Sequence, residues 1–286
     1  METRSPVTAC RFVFRRLGLV AVGVFAVLWA VQPGGTAAPL TAAAPPGAAA
    51  ANGEGLQALF GSDNRVIRSH ERIVAVTFNA AWNDAGLDRI LGELDRRHTP
   101  ATFFLTGDFA DRHPEVVKKI AAAGHGVGNH SYSHPHFKDL TASGRTHEVQ
   151  AADQSLRAAG AGTALTPFFR FPYSETSPAH IAEVNSLGFA DIEFTTDTNG
   201  WMGTEGGMSV DRAVSRAVKA LRPGAILQMH LGAPNNRTEV IDAQALPQIL
   251  EAFTARGYRV IDLRTLLTPQ HAPHPHPDES RRPLTR

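Results

Sequence analysis

IVAVTFNAAW, residues 73–82, begins with six residues of which five are β-branched or aromatic, then turns to small and polar ones at Asn79. The apolar part is too short for a buried helix and suits a pleated surface, so it predicts a buried strand. Six similar runs follow: ATFFLT (101–106), HGVGNH (125–130), FFRFP (168–172), FADIEFTT (189–196), AILQMH (225–230) and YRVIDL (258–263). Helical patterns separate them at 87–98, 114–123, 142–159, 177–187, 210–221 and 243–256. Several stop at a glycine (Gly124, Gly160, Gly188, Gly257), the residue that most readily takes the left-handed position after a helix. Strand and helix alternating this often call for a parallel α/β sheet. The repetition favours a closed barrel over an open sheet, in one domain spanning 66–268.

The flanks differ in kind. Four arginines precede the uncharged stretch LGLVAVGVFAVLWAV (17–31), and small residues follow it. That order reads as a secretory signal peptide over 1–37, and fifteen apolar residues fall short of the ~20 that an uncleaved spanning anchor needs. Arg15-Arg16 fits a twin-arginine export signal only loosely. The expected location is therefore secreted or cell-surface, with membrane contact through this segment alone. Cys10, the only cysteine, lies in the leader, so no disulfide is expected in the mature chain. Residues 38–65, rich in Ala, Pro and Gly, read as a linker. The His/Pro-rich tail 269–286, with His271, His274 and His276, reads as solvated chain. The composition excludes whole-chain disorder, collagen-like repetition and a multi-pass membrane protein. The formal charge is +1, and the leader holds four of the arginines, so the mature chain has no electrostatic footprint for nucleic acid. A monomer is expected.

Functional groups of parallel barrels gather at the C-terminal strand ends. The polar residues there are Asn79 and Asp84, His130 and His134, Arg170 and Tyr173, Asp197 and Trp201, and His230. His130 and His134 are four apart. On one helical turn they would project together and could hold a divalent ion with a third protein ligand, the alternative being a pair of hydrogen-bonded structural histidines.

In order and spacing, TFNAAW (77–82), GNHSYSH (128–134), RFPY (170–173), DTNGW (197–201) and AILQMH (225–230) resemble the five motifs of the polysaccharide deacetylase family, the NodB-homology domain of carbohydrate esterase family 4. The resemblance implies a distorted (β/α)7 barrel and a metal-dependent hydrolase that removes N-acetyl groups from amino sugars of peptidoglycan or chitin-like glycans. It implies metal ligation by His130 and His134, and Arg170 orienting the residue in the base position, with Asp197 engaging that arginine. His230 becomes the general acid, and Tyr173, Trp201 and Leu227 line the pocket for the sugar and its acetyl methyl. Zinc is the first expectation for the metal, and cobalt or nickel are also compatible with imidazole ligands.

The first motif departs from the family's TFDD. Asn79 and Ala80 replace the base aspartate and a metal-binding aspartate. An amide cannot take a proton from water at neutral pH, and a positioned base is worth ~10²–10⁴-fold. Asp84 is the nearby carboxylate that could serve as ligand or base; otherwise it caps the next helix. The sequence thus allows a slow or ester-preferring deacetylase, or a glycan-binding relative without turnover. A glycosidase would need two opposed carboxylates, for which only Asp84 and Asp197 are available.

Overall fold

The computed structural model describes residues 53–235 and 237–268. The expected signal peptide, Cys10, residues 38–52 of the expected linker and the tail from 269 lie outside them. The apolar runs form parallel strands: β1 (Ile73–Ala80), β2 (Thr102–Leu105), β3 (Gly126–Asn129), β4 (Leu165–Phe169), β5 (Ala190–Asp191), β6 (Thr196–Asp197), β7 (Ala225–His230) and β8 (Arg259–Ile261). β1 is the hub. It pairs with β2, along most of its length with β7, and at its base with β8.

The run 189–196, expected as one strand, is two. β5 pairs with β4 and β6 with β7 at the two ends of the curled sheet, so the broken stave spans the seam of a distorted (β/α)7 barrel. The break has a local cause. The carbonyls of Ile192 and Glu193, which a continuous strand would spend on its ladder, accept instead from Arg170 Nε (2.9 Å) and Nη2 (3.2 Å).

Helices flank the sheet: α1 (Leu87–Arg96), α2 (Gly107–Arg112), α3 (Pro114–Ala122), α4 (Ala142–Ala158), α5 (Pro178–Ser186), α6 (Val210–Lys219) and α7 (Ile241–Ala255). The sequence did not announce α2, whose six residues are too few for a periodic signal. Thr106 starts it, its hydroxyl accepting from the Phe109 N–H at 3.2 Å.

The two-residue period of each strand sorts its side chains. Val74, Val76 and Phe78 of β1 and Leu227 and Met229 of β7 face the helices in the larger core cluster. Ile73, Ala75, Phe104, Phe168, Ile192 and Ile226 fill the barrel base. Higher up, the inward positions turn polar at Thr77, Asn79, Gln228 and His230, all buried. The same stripe that forms the core at the base therefore forms a site at the mouth.

The expected linker boundary at 65 is too late. Leu56, Leu59 and Phe60, at helical spacing, pack against the cluster at the barrel base. Asn64 then ties this segment down, its amide donating to the Asp191 carbonyl at 2.8 Å. The i, i+3, i+4 spacing was legible, but the Ala/Pro/Gly composition around it masked the pattern. Replacing Leu56 and Phe60 together by Ala should lower the unfolding free energy by about 2 kcal/mol, since both are half-buried. Urea denaturation would measure this, and an unchanged midpoint would restore the linker reading.

Candidate active site

A cleft of about 370 Å³ opens at the barrel mouth and is lined by Asn79, His130, His134, Asp197, Gln228 and His230 together with aromatic side chains. Asn79 sits at its floor with both ends of its amide committed. Its Oδ1 accepts from Arg170 Nη1 at 2.9 Å, and its Nδ2 donates to Gln228 Oε1 at 3.0 Å and to His130 Nε2 at 3.1 Å. Gln228 passes the chain on, donating Nε2–H to Asp197 Oδ2 at 2.9 Å. Each group has one orientation that satisfies its neighbours, so the amide N–H of Asn79 is held towards His130.

His130 follows β3 and is buried. Its Nδ1 donates to the Arg170 carbonyl at 2.9 Å, which leaves the Nε2 lone pair for Asn79. The His134 ring lies edge-on to it, with centroids 4.8 Å apart. The two rings meet, but not on a helical turn. The segment is a loop in which Ser131 and His134 take positive φ (67° and 60°). Burial, and then the neighbouring His134, hold His130 well below the usual imidazole range. Burial pushes His134 down to about 4. Both rings are neutral near pH 7.

Arg170 does not pair with Asp197. Its guanidinium is fully buried and bonded to Thr77 Oγ1 (2.9 Å), Asn79, Gln228 Oε1 (3.3 Å) and the two β5–β6 carbonyls, and it lies 3.9 Å over the Phe104 ring. Asp197 has moved to the other side of Gln228, where it also accepts the Asn199 N–H at 2.7 Å. Burial lowers Arg170 to about 10, opposed first by the charge of Glu193. Glu193, missed in the sequence, is itself fully buried and accepts from the Phe171 N–H at 3.0 Å.

His230 ends β7 between two carboxylates, with Nδ1 3.4 Å from Asp242 Oδ2 and 3.8 Å from Asp197 Oδ1. Burial alone would depress it, but Asp197 and then Asp242 outweigh burial, and the ring holds its proton above the usual range. Asp242 is the second residue that sequence reasoning missed. It is fully buried in the first turn of α7, accepts the His230 backbone N–H at 2.7 Å and the Thr198 hydroxyl at 2.6 Å, and presses against Gly200, where a β-carbon would collide. Its signal was an acidic residue at a helix start, which is too common to single out.

Tyr173 and Trp201 reach the cleft as expected. Tyr173 is held at φ 57°, with its ring stacked on His136 at 3.8 Å. Leu227 does not reach it. It lies one residue out of phase with His230, in the helix-side core, and the inward neighbour is Gln228. Asp84 is outside the cleft lining, and its side chain makes no cap to α1, whose N-terminal turn is closed by its backbone carbonyl receiving the Leu87 N–H at 2.9 Å.

The donor set bears on the metal that the motifs imply. His130 is oriented as a ligand would be, with Nδ1 fixed by a carbonyl. Its Nε2, however, faces an amide N–H, Ala80 offers no donor atom, and among the described residues no three His, Cys, Asp or Glu side chains are grouped to hold an ion. A hydrolytic zinc takes three protein ligands. Two imidazoles beside a hydrogen-bond donor do not fit it.

Comparison with known proteins agrees with this architecture. Residues 67–192 match the polysaccharide deacetylase family. A chitooligosaccharide deacetylase from Bradyrhizobium sp. is 30% identical over 206 residues, which cover 69% of this chain and 92% of that one. The peptidoglycan-N-acetylglucosamine deacetylase of Bacillus cereus is 28% identical over 68% of this chain and 67% of its own. The chain belongs to the polysaccharide deacetylase family. Among solved structures, a carbohydrate esterase family 4 pseudoenzyme from Bacillus anthracis aligns with a TM-score of 0.63 at 27% identity, over 72% of this chain and 69% of the other. A mutant of that pseudoenzyme has restored enzymatic activity and aligns equally well.

Two outcomes follow from the geometry. Asn79→Asp replaces the N–H facing His130 by a lone pair, so zinc should bind this variant at least tenfold more tightly than the native chain by calorimetry; equal affinity would point to a ligand elsewhere. Asp242→Asn should lower the His230 pKa, read by NMR titration of the imidazole, because one of its two carboxylate partners loses its charge.

Proposed function

We propose that this chain is a secreted polysaccharide deacetylase of low turnover, acting on N-acetylated amino-sugar glycans of the peptidoglycan or chitin-like kind. The observation that carries the reading is the pairing of unlike imidazoles in one cleft: His230, which keeps its proton, and His134, which gives its proton up. Hydrolysis of an acetamide needs both. Water attacks the acetyl carbonyl carbon as its proton passes to neutral His134. The C–N bond then breaks as His230 protonates the departing sugar nitrogen, leaving acetate and a glucosamine unit. Asp197 and Asp242 hold His230 in its charged, oriented form, and Arg170 fixes the floor through Asn79.

The slowness has a stated origin. An imidazole with a pKa of about 4 is a weak base, and the carboxylate that the family places at position 79 is an amide here. Acetyl esters depart more easily than amides and should be the faster substrates. Localisation outside the cytoplasm rests on the leader-like residues 1–37 and on where such glycans occur.

A second reading is a glycan-binding protein without turnover. The Asn79 N–H donated to His130 favours it, as does the similarity to a pseudoenzyme. Acetate release from chitotetraose and from peptidoglycan separates the two. The native chain should release acetate slowly, and Asn79→Asp should raise the rate at least tenfold. Gln228→Leu added to that variant should raise it further, because a carboxylate at 79 would face Gln228 Oε1 with two acceptors in contact. Oligosaccharide binding with no acetate from any variant would establish the binding protein, and no binding at all would overturn both readings.

A further inference from the structure

Between β4 and α5 the backbone makes a turn that costs it conformational energy. Tyr173 and Ser174 follow one another in the left-handed region, at φ 57° and 56°, where a residue with a side chain is strained. The turn is pinned at each end. The Ser174 N–H donates to the Phe171 carbonyl (3.1 Å), and the Thr176 N–H to the Ser174 carbonyl (3.0 Å). On the outside the Tyr173 ring stacks on His136, and His136 Nδ1 and the Lys138 ammonium both reach Glu175 Oε1, at 3.0 and 2.8 Å. Held this way, half-buried Ser174 lines the same cleft as His230.

Behind the Ser174 hydroxyl stands Glu193. Its carboxylate is fully buried, with Oε2 accepting from Ser174 Oγ at 2.5 Å and Oε1 from the Phe171 N–H at 3.0 Å. The second bond orients the carboxylate, so that Oε2 is presented to the serine. Burial raises Glu193 above the usual carboxylate range, opposed next by the charge of Arg170, and a raised carboxylate is the stronger base. A hydroxyl on a strained strand-to-helix turn, a base within hydrogen-bond reach of it and a third group orienting that base are the parts of an activated nucleophile. A hydroxyl that only satisfied a buried carboxylate would need neither a strained backbone nor a place in the cleft.

We propose that Ser174 is a nucleophile and Glu193 its general base, a dyad that gives the cleft a covalent route for hydrolysing small acyl esters. The route passes through neither residue 79 nor His134, the base of the deacetylase reading. Ser174 Oγ bonds to the ester carbonyl carbon as its proton moves to Glu193. The bond from that carbon to the alcohol oxygen breaks, and the alcohol leaves with the proton of His230. Water then attacks the acyl-serine and gives its proton to the now neutral His230. The bond from carbon to Oγ breaks as Oγ recovers its proton from Glu193, and a carboxylic acid leaves. The site is back in its starting state.

The experiment mixes the full chain with 4-nitrophenyl acetate, follows 4-nitrophenol by stopped flow and maps acid-quenched samples by peptide mass spectrometry. The expected result is a burst of 4-nitrophenol and an acetyl group on Ser174. Ser174→Gly, which takes φ 56° without strain, should abolish burst and adduct and lower ester turnover at least tenfold, with the fold retained by circular dichroism. Glu193→Gln keeps an acceptor for the Ser174 hydroxyl but is no base, and should slow acylation at least tenfold. An unchanged acylation rate in this variant would overturn the dyad. So would quenched samples with no acetyl group on Ser174, or full ester turnover by Ser174→Gly. Acetate release from chitotetraose, measured beside these, keeps the two readings apart. Release from the glycan with no acyl-serine would refute the dyad and leave the deacetylase. An acyl-serine with no release from the glycan would uphold the dyad and refute the deacetylase.

Discussion

A fully buried guanidinium organises this protein. Bringing a charge of that size out of water costs several kcal/mol, and the chain offsets the cost with hydrogen bonds from β1, β7 and the β5–β6 break. Arg170 leaves β4 and reaches across to β1 (Thr77, Asn79), to β7 (Gln228) and to the carbonyls between β5 and β6. Three staves (β4, β1 and β7) are thereby registered at one level, and a fourth is broken where its carbonyls are spent on the arginine. The distortion of the barrel and the position of the site have one cause.

The chemistry at position 79 follows from the same fork. Arg170 needs an acceptor there, and an amide oxygen supplies it as a carboxylate would. The difference appears on the far side of the group, where the amide shows N–H instead of a lone pair. Two acceptors, Gln228 Oε1 and His130 Nε2, are arranged to receive it. Asn79 and Gln228 are thus a matched pair, and the floor of the cleft is built for an amide. This explains how the family's fold and cleft persist while its usual donor set does not.

The sequence carried the fold almost whole, because strand runs and glycine-terminated helices are local signals. His130, Asn79 and His230, at the ends of runs, could be placed at the barrel mouth for the same reason, and the cleft brings His134 beside them. Failures came where the answer depended on phase or on distance. Leu227 and Gln228 differ by one residue, and only the inward phase of β7 decides between them. Asp197 was assigned to Arg170, but Gln228 stands between them, 31 residues away in sequence. Asp242 and Glu193 matter only through groups that the fold brings to them. The packing of Leu56 and Phe60 was readable in spacing and was obscured by composition.

The three imidazoles also set the pH range in which the site and the fold agree. His130 and His134 have folded values below the ordinary ~6.5. As pH falls from there the unfolded chain gains protons first, so their contribution to stability is lost on the acid side, progressively down to about 4 for His134. His230 has a raised value and works in the opposite sense. Its contribution is complete below ~6.5 and is lost as pH rises through its folded value. Between these limits the folded cleft holds one charged and two neutral rings, the protonation pattern that the proposed hydrolysis uses. In the proposed mechanism, the carboxylates that secure His230 and the burial that empties His134 therefore act on catalysis and stability together, and neither can be altered without moving both.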